Sequence, residues 1–421
     1  MWEIWLVVGA GLGVLVAAVS RRLDELPLSE PLLGLLAGIV AGPRLLGLLE
    51  LPTAVESRVL LVAAELTLAV ALMAIALRYP IAEVLRHRRE VAWLVIVVMP
   101  AMALIGAGLS WGLLGVPVGV ALALGAAMSP TDPVLASSVV SGEPAERTLP
   151  SALRGRLSLE SGVNDGLALP LVVLAAAVAT GSSLASTTLQ AAWQVLGAAA
   201  LGWLLGRLAA GVLALAVRHG DIDLSHELLY SLVLALAVLG LAALARTDGL
   251  LAVFVTGLVF NAHTTDRERR REETIDEGVN RILVLPLFVL LGVAVPWERW
   301  VELGWRGVAL ALGVLLLRRL PVVLALRRVV GARRLVDAVW LGWFGPVGVA
   351  AVFYLQHLGE LGVTDPVVWE AGSLVVAASI VAHGVTASPA RALYGRVSRP
   401  ADSRPAASPA QGRASRPRHR R

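Results

Sequence analysis

The chain has 421 residues, of which 57% are hydrophobic and 16% charged, with a formal net charge of +5 and no cysteine. Repeated apolar runs of about twenty residues, each long enough to cross a bilayer core as a helix, identify an all-α polytopic membrane protein whose constant partner is the lipid bilayer. The lack of cysteine excludes disulfides, thiol catalysis and thiolate metal sites. All 36 basic residues are arginine, and they gather in loops between spans, where they set orientation and give no sign of nucleic acid.

The hydropathy pattern predicts helices near residues 2–19, 31–49, 58–77, 91–114, 116–141, 158–180, 190–217, 226–245, 247–262, 280–297, 304–326, 337–357 and 366–388, thirteen in all. The first lacks a basic leader and a small-residue cleavage site, so it is expected to be retained. Arg21 and Arg22, Arg78 to Arg89, Arg147 to Arg156, Arg218, Arg267 to Arg271 and Arg327 to Arg334 fall in alternate loops, whereas the other loops hold only Arg58, Arg246, Arg299 and Arg306. That alternation predicts an N-terminus outside and a C-terminus in the cytoplasm of the plasma (inner) membrane.

The fifth span, VGVALALGAAMSPTDPVLASSVVSG, cannot be one helix. Pro130 and Pro133 each remove a donor and turn Ser129 and Asp132 away from helical angles. The chain should unwind there, with Asp132 as N-cap and Pro133 opening a second half-helix. Such a break at mid-membrane is tolerated only inside protein or against a watery cavity. The sixth span, in ESGVNDGLALPLVVLAAAVA, carries Glu160, Ser161, Asn164 and Asp165, although a charge in hydrocarbon costs roughly 2.5 to 3.5 kcal/mol on insertion scales. On a helix these four share an arc of about 140°, and Pro170 frees the carbonyl of Gly166 beside Asp165. A carboxylate, a hydroxyl and loose carbonyls can hold a hard cation, and the same carboxylate can take a proton instead.

The polar stretch TTDRERRREETIDEGVNR reads as a solvated helix joining two halves. In the eleventh span Arg318 and Arg319 lie about 12 to 15 Å deeper than Arg327 and Arg328 at 1.5 Å per residue. One of them is expected to face inward and pair with a carboxylate, the other to snorkel. Gly345 and Pro346 in GWFGPVGVAAVFY signal a second break, and interrupted spans in corresponding places point to inverted repeats around a binding site. His383 in the last span reads as a packed helix residue. The segment after Tyr394 is rich in Pro, Ser, Ala and Arg; residues 391–421 are expected to be a disordered cytoplasmic tail beside a membrane domain of residues 1–390.

TDP on a broken span, ESGVNDGLALP on the next, GLLAVFVTGLVFN, an arginine on the eleventh span, GWFGPVG on a second broken span and SIVAHG on the last resemble the prokaryotic members of the monovalent cation/proton antiporter-1 family, the NhaP and sodium/hydrogen exchanger group. The motifs occur in order through almost the whole membrane region. The resemblance implies about thirteen helices in two inverted repeats with two broken, crossing helices, the NhaA-like antiporter fold, with a moving core and a dimerisation domain that makes a homodimer. It implies exchange of Na⁺ or K⁺ for H⁺ by alternating access, without a cofactor. Asp165 matches the ion and proton carrier, Ser161 and the Thr131 backbone further cation ligands. Asn164 matches the brace of the unwound segment through Thr131 and Asp132, and Glu160 the acid paired with a membrane arginine, aligned here to Arg319 with Arg318 as alternative. Where relatives often carry an acid late in the third span, this chain reads LAVALMAIALRYP, leaving only Glu65 a few turns earlier.

Two other classes compete. An intramembrane hydrolase using Ser161 and His383 lacks a strained elbow and oxyanion donors. A cation channel also uses carboxylates but moves no proton in return. An electrogenic antiporter would place Asp where Asn164 stands; with Asn, one titrating carboxylate faces one cation, which predicts electroneutral exchange. Selectivity between Na⁺ and K⁺ depends on cage size and ligand number, which sequence does not display.

Overall fold

The computed structural model describes residues 11, 13–14, 29–79, 81–132, 135–136, 143–219, 224–263 and 283–398. Most of the predicted first span, the start of the half-helix at Pro133, the charged connector and residues 399–421 lie outside the described residues. Among the described residues the regular structure is helical throughout. In chain order the principal helices are α1 (Glu30–Ala41), α2 (Thr53–Arg78), α3 (Arg88–Leu114), α4 (Val118–Ala127), α5 (Ser151–Thr180), α6 (Leu184–His219), α7 (Leu224–Leu244), α8 (Gly249–Asn261), α9 (Leu283–Val293), α10 (Trp297–Leu317), α11 (Leu320–Ala325), α12 (Leu335–Trp343), α13 (Val349–Glu360) and α14 (Val367–Ser398).

Six helical segments, Glu56–Arg78, Arg88–Leu114, Ser151–Thr180, Leu184–His219, Trp297–Ala325 and Val367–Val397, are long and apolar enough to cross a membrane. A helix satisfies its own backbone, which is what hydrocarbon demands of any segment lodged in it. The protein is therefore a multi-pass, all-α membrane protein. α14 continues past residue 390, and Tyr394 near its end donates to Asp337 Oδ1 at 2.6 Å.

The predicted breaks occur where proline and glycine place them. α4 stops at Ala127 and α13 starts at Val349; from Met128 to Asp132, and between α12 and α13, the backbone is extended or irregular. The two breaks touch: Asp132 N donates to Pro346 O at 3.0 Å. Small residues bring neighbouring helices close enough to enclose them, as expected where backbone approach drives packing in a membrane. A Cβ on Gly125 would fall 2.2 Å from Ala103 O, so α4 lies directly on α3; a Cβ on Gly166 would fall 3.0 Å from Leu251 Cα, so α8 lies on α5.

A third interruption breaks the span expected to run continuously over 304–326. α10 ends at Leu317 and α11 begins at Leu320, with Arg318 and Arg319 in the bend. Pro321 causes it, since its ring conflicts with the carbonyl of Leu317 four residues back.

Candidate functional site

The bend between α10 and α11 decides where the two arginines point. In a continuous helix adjacent residues diverge by about 100°, which is why one was expected to snorkel. At the bend both turn inward, and each is only 2% exposed. Arg319 pairs with Glu160 through two parallel bonds, Nη1 to Oε1 at 2.6 Å and Nη2 to Oε2 at 2.8 Å, the bidentate geometry that favours arginine over lysine. Its Nε donates to Leu341 O at 3.0 Å.

Arg318 binds no carboxylate in this way. Its guanidinium donates to the carbonyls of Met128, Pro130 (3.3 Å) and Gly345 (2.6 Å). These are carbonyls that the two breaks leave without helical partners, at the negative ends of α4 and α12. Asp132 does the opposite work. Its carbonyl accepts from Ala136 N at 3.1 Å, as an N-cap's should, and its Oδ2 accepts from Val349 N, the first amide of α13. One cation thus serves the C-terminal ends at the crossing and one anion the N-terminal ends. The glycines of GWFGPVG are explained by the same contacts: a Cβ on Gly348 would fall 1.8 Å from Asp132 Oδ2, and one on Gly345 would fall 2.4 Å from Arg319 Cδ.

Asn164 ties the first break to α5. It accepts from Thr131 N at 3.3 Å, and its Nδ2 donates to Thr131 Oγ1 at 2.7 Å and to Glu160 Oε1 at 3.0 Å. Thr131 Oγ1 and Ser161 Oγ lie 3.0 Å apart. Thr131, Ser161, Asn164, Glu160 and Arg319 therefore form one buried network. Asp165 is fully buried beside it, yet neither of its carboxylate oxygens has a hydrogen-bond partner among the described residues. Its main-chain carbonyl accepts from the Tyr354 hydroxyl of α13. Glu65 stays outside this cluster, on α2 toward Arg58 and Glu360.

Three supporting residues had no site role in the sequence reading, although His383, read as a packed helix residue, is indeed buried. Tyr354 carried no motif signal. Ser379 and His383 clamp the second break: Val347 N donates to Ser379 Oγ at 2.8 Å, and His383 Nε2 lies 2.9 Å from Trp343 O. His383 Nδ1 lies 2.8 Å from Ser379 O and 3.2 Å from Ser379 Oγ, so Ser379 and His383 together hold both ends of that break to α14; their i,i+4 spacing was the available signal.

A profile of the transmembrane sodium/hydrogen exchanger family matches residues 11–392. The chain belongs to the sodium/hydrogen exchanger family. It is 30% identical over 344 residues to Na(+)/H(+) antiporter 2 of Zygosaccharomyces rouxii, covering 78% of this chain and 42% of that protein. It is 28% identical over 289 residues to the Na(+)/H(+) antiporter NhaP of Pseudomonas aeruginosa, covering 64% of each. It also matches the Na(+)/H(+) antiporter of Saccharomyces cerevisiae at 29% identity, covering 35% of that protein, so this family member spans less than half the length of these yeast relatives. Its fold resembles that of the sodium proton antiporter MjNhaP1 from Methanocaldococcus jannaschii, with a TM-score of 0.70 at 20% identity over 92% of this chain and 95% of that one.

Removing either arginine should be costly for different reasons. Arg319→Ala strands Glu160, and breaking one side of a buried pair costs about 3 to 5 kcal/mol. Arg318→Ala strands three carbonyls, at about 1 to 3 kcal/mol for each unsatisfied group. Thermal unfolding of the purified variants should show both destabilised, with Glu160→Gln recovering part of the loss in Arg319→Ala and none in Arg318→Ala.

Proposed function

We propose that the chain is a secondary antiporter, not an enzyme, that exchanges a monovalent cation, Na⁺ or K⁺, for H⁺ by alternating access around Asp165. The observation that carries this reading is the carboxylate of Asp165, fully buried and without a partner on either oxygen. A buried anion left so is expensive to keep unless it takes up a cation or a proton. The charges around it support the same reading. Asp132, Glu160 and Asp165 are three buried acids at the crossing, and Arg318 and Arg319 two buried bases, so the cluster is one positive charge short of neutrality. One monovalent cation or one proton supplies the difference.

In this reading Asp165 carries the ion, and the Ser161 hydroxyl and the Thr131 backbone add oxygens beside it. Asn164, Glu160 and Arg319 fix the geometry of the unwound segment, and Asp132 caps it. Cation and proton compete for the same carboxylate, so occupancy by one expels the other, and the charge moved in each direction is equal. The transporter works as a homodimer in the plasma (inner) membrane, N-terminus outside and C-terminus cytoplasmic, with its two halves arranged as inverted repeats. The names of the relatives favour Na⁺ as the cation, and a cation channel is disfavoured because an enclosed carboxylate blocks continuous conduction.

In everted vesicles, addition of Na⁺ or K⁺ after acidification should collapse the pH gradient, read as dequenching of a pH-sensitive dye. Asp165→Asn keeps the shape and removes the group that holds either ion, so it should abolish the response while the protein still inserts. Appreciable exchange by Asp165→Asn would remove Asp165 from its assigned role.

Electroneutrality has its own test. Each 100 mV acts on an elementary charge with about 2.3 kcal/mol, so a carrier that moves net charge responds strongly to voltage. In proteoliposomes clamped with a permeant ion that the protein does not carry, the exchange rate should be unchanged; clear acceleration would establish electrogenic exchange.

A further inference from the structure

We infer that Asp248 is a second proton-binding carboxylate of this transporter, set on the side of Asp165 nearer to Arg58 and Glu360. The inference rests on the reading of Asp165 as the residue that exchanges a cation for a proton, and assigns the group that receives that proton.

Asp248 is the N-cap of α8, where its Oδ1 accepts from Leu251 N at 3.0 Å. A capping carboxylate usually sits at the surface, with its second oxygen in water. Here the residue is 3% exposed, and Oδ2 is buried without a partner among the described residues. Its main-chain N donates to Gln194 O on α6 at 3.2 Å, and Gln194 Oε1 is likewise buried and without a partner. A proton on Oδ2 turns it into a donor while Oδ1 keeps the cap, so the helix start is indifferent to the protonation that the other oxygen undergoes.

The position is suited to the task. The first turn of α8, held by Asp248, packs closely on Gly166, the residue after Asp165: a Cβ there would fall 3.0 Å from Leu251 Cα. The other end of α8 is tied to the end of α2 by Asn261 Nδ2, which donates to Ala76 O and Leu77 O at 2.8 Å. Asp248 therefore lies at the opposite end of α8 from Arg78. The titratable groups that face it are acids and a phenol: Glu65 from α2 acts on it directly, and the Tyr354 hydroxyl of α13 feels both Asp248 and Asp165. Beyond Glu65, Arg58 and Glu360 form an exposed ion pair at 2.5 Å. Asp165, Asp248, Glu65 and Glu360 thus form a graded series from buried to exposed. When a cation displaces the proton of Asp165 in the state open toward the Arg58–Glu360 end, that O–H bond breaks, one forms at Asp248 Oδ2, and the proton passes to water on that same side.

Asp248→Asn and Asp248→Ser keep an N-cap acceptor and remove the titrating group, so the fold should survive. Infrared difference spectra between acidic and alkaline pH, recorded on the Asp165→Asn protein, should retain a protonated-carboxyl component that is lost when either Asp248 substitution is added, while the contribution of the other acids remains. Identical spectra with and without the Asp248 substitution would overturn the proposal, and this readout needs no transport. In proteoliposomes of the otherwise wild-type protein, Asp248→Asn should slow exchange on the order of a hundredfold, the lower range for a positioned proton-transfer group, without changing the half-saturating cation concentration. Exchange at the wild-type rate would overturn it as well. A wild-type protein that exchanges no cation would instead count against the antiport reading and leave the infrared result to decide proton binding.

Discussion

The structure depends on satisfying two chain breaks inside hydrocarbon. Each break frees amides and carbonyls that lipid cannot pair, at several kcal/mol for each group left so. The molecule resolves this by laying the breaks across each other and giving each pole one charge. Arg318 takes the carbonyls of Met128, Pro130 and Gly345, and Asp132 takes the amide of Val349. These contacts fix where Thr131 can be, and through Asn164 they fix α5 and Asp165.

Once Arg318 and Asp132 answer each other across the crossing, and Arg319 answers Glu160, the charges within the cluster are matched except at Asp165. Function then follows from stability. A buried group that the protein leaves unmatched is one that something mobile must match, and the two breaks give it a polar wall without offering the carboxylate a permanent donor. A fixed donor to Asp165 would stabilise the resting protein and remove its reason to bind an ion. Keeping that residue unsatisfied is the cost that the surrounding network offsets.

Much of this was legible in the sequence. Pro130, Pro133, Gly345 and Pro346 announced the breaks because proline and glycine act on the local backbone, whatever packs around them. Glu160, Ser161, Asn164 and Asp165 stood out because their cost in an apolar span is itself local. The partners were harder to read. Continuous 3.6-residue periodicity implied that Arg318 and Arg319 diverge, and only the bend at Pro321 brings both inward; the proline was visible, but its consequence two residues back depends on what the bend faces. Tyr354, Ser379 and Asp248 gave little signal, because a hydroxyl or a capping acid is common in any helix and becomes informative only when its neighbours in space are known.

The most direct test of the account is proton release on cation binding by the purified protein in weakly buffered, mildly acidic solution. If a cation and a proton compete for Asp165, adding Na⁺ or K⁺ should release about one proton per protomer, as expected when a ligand must lose its proton to bind, and Asp165→Asn should release none. Cation binding without proton release, or undiminished release from Asp165→Asn, would contradict it.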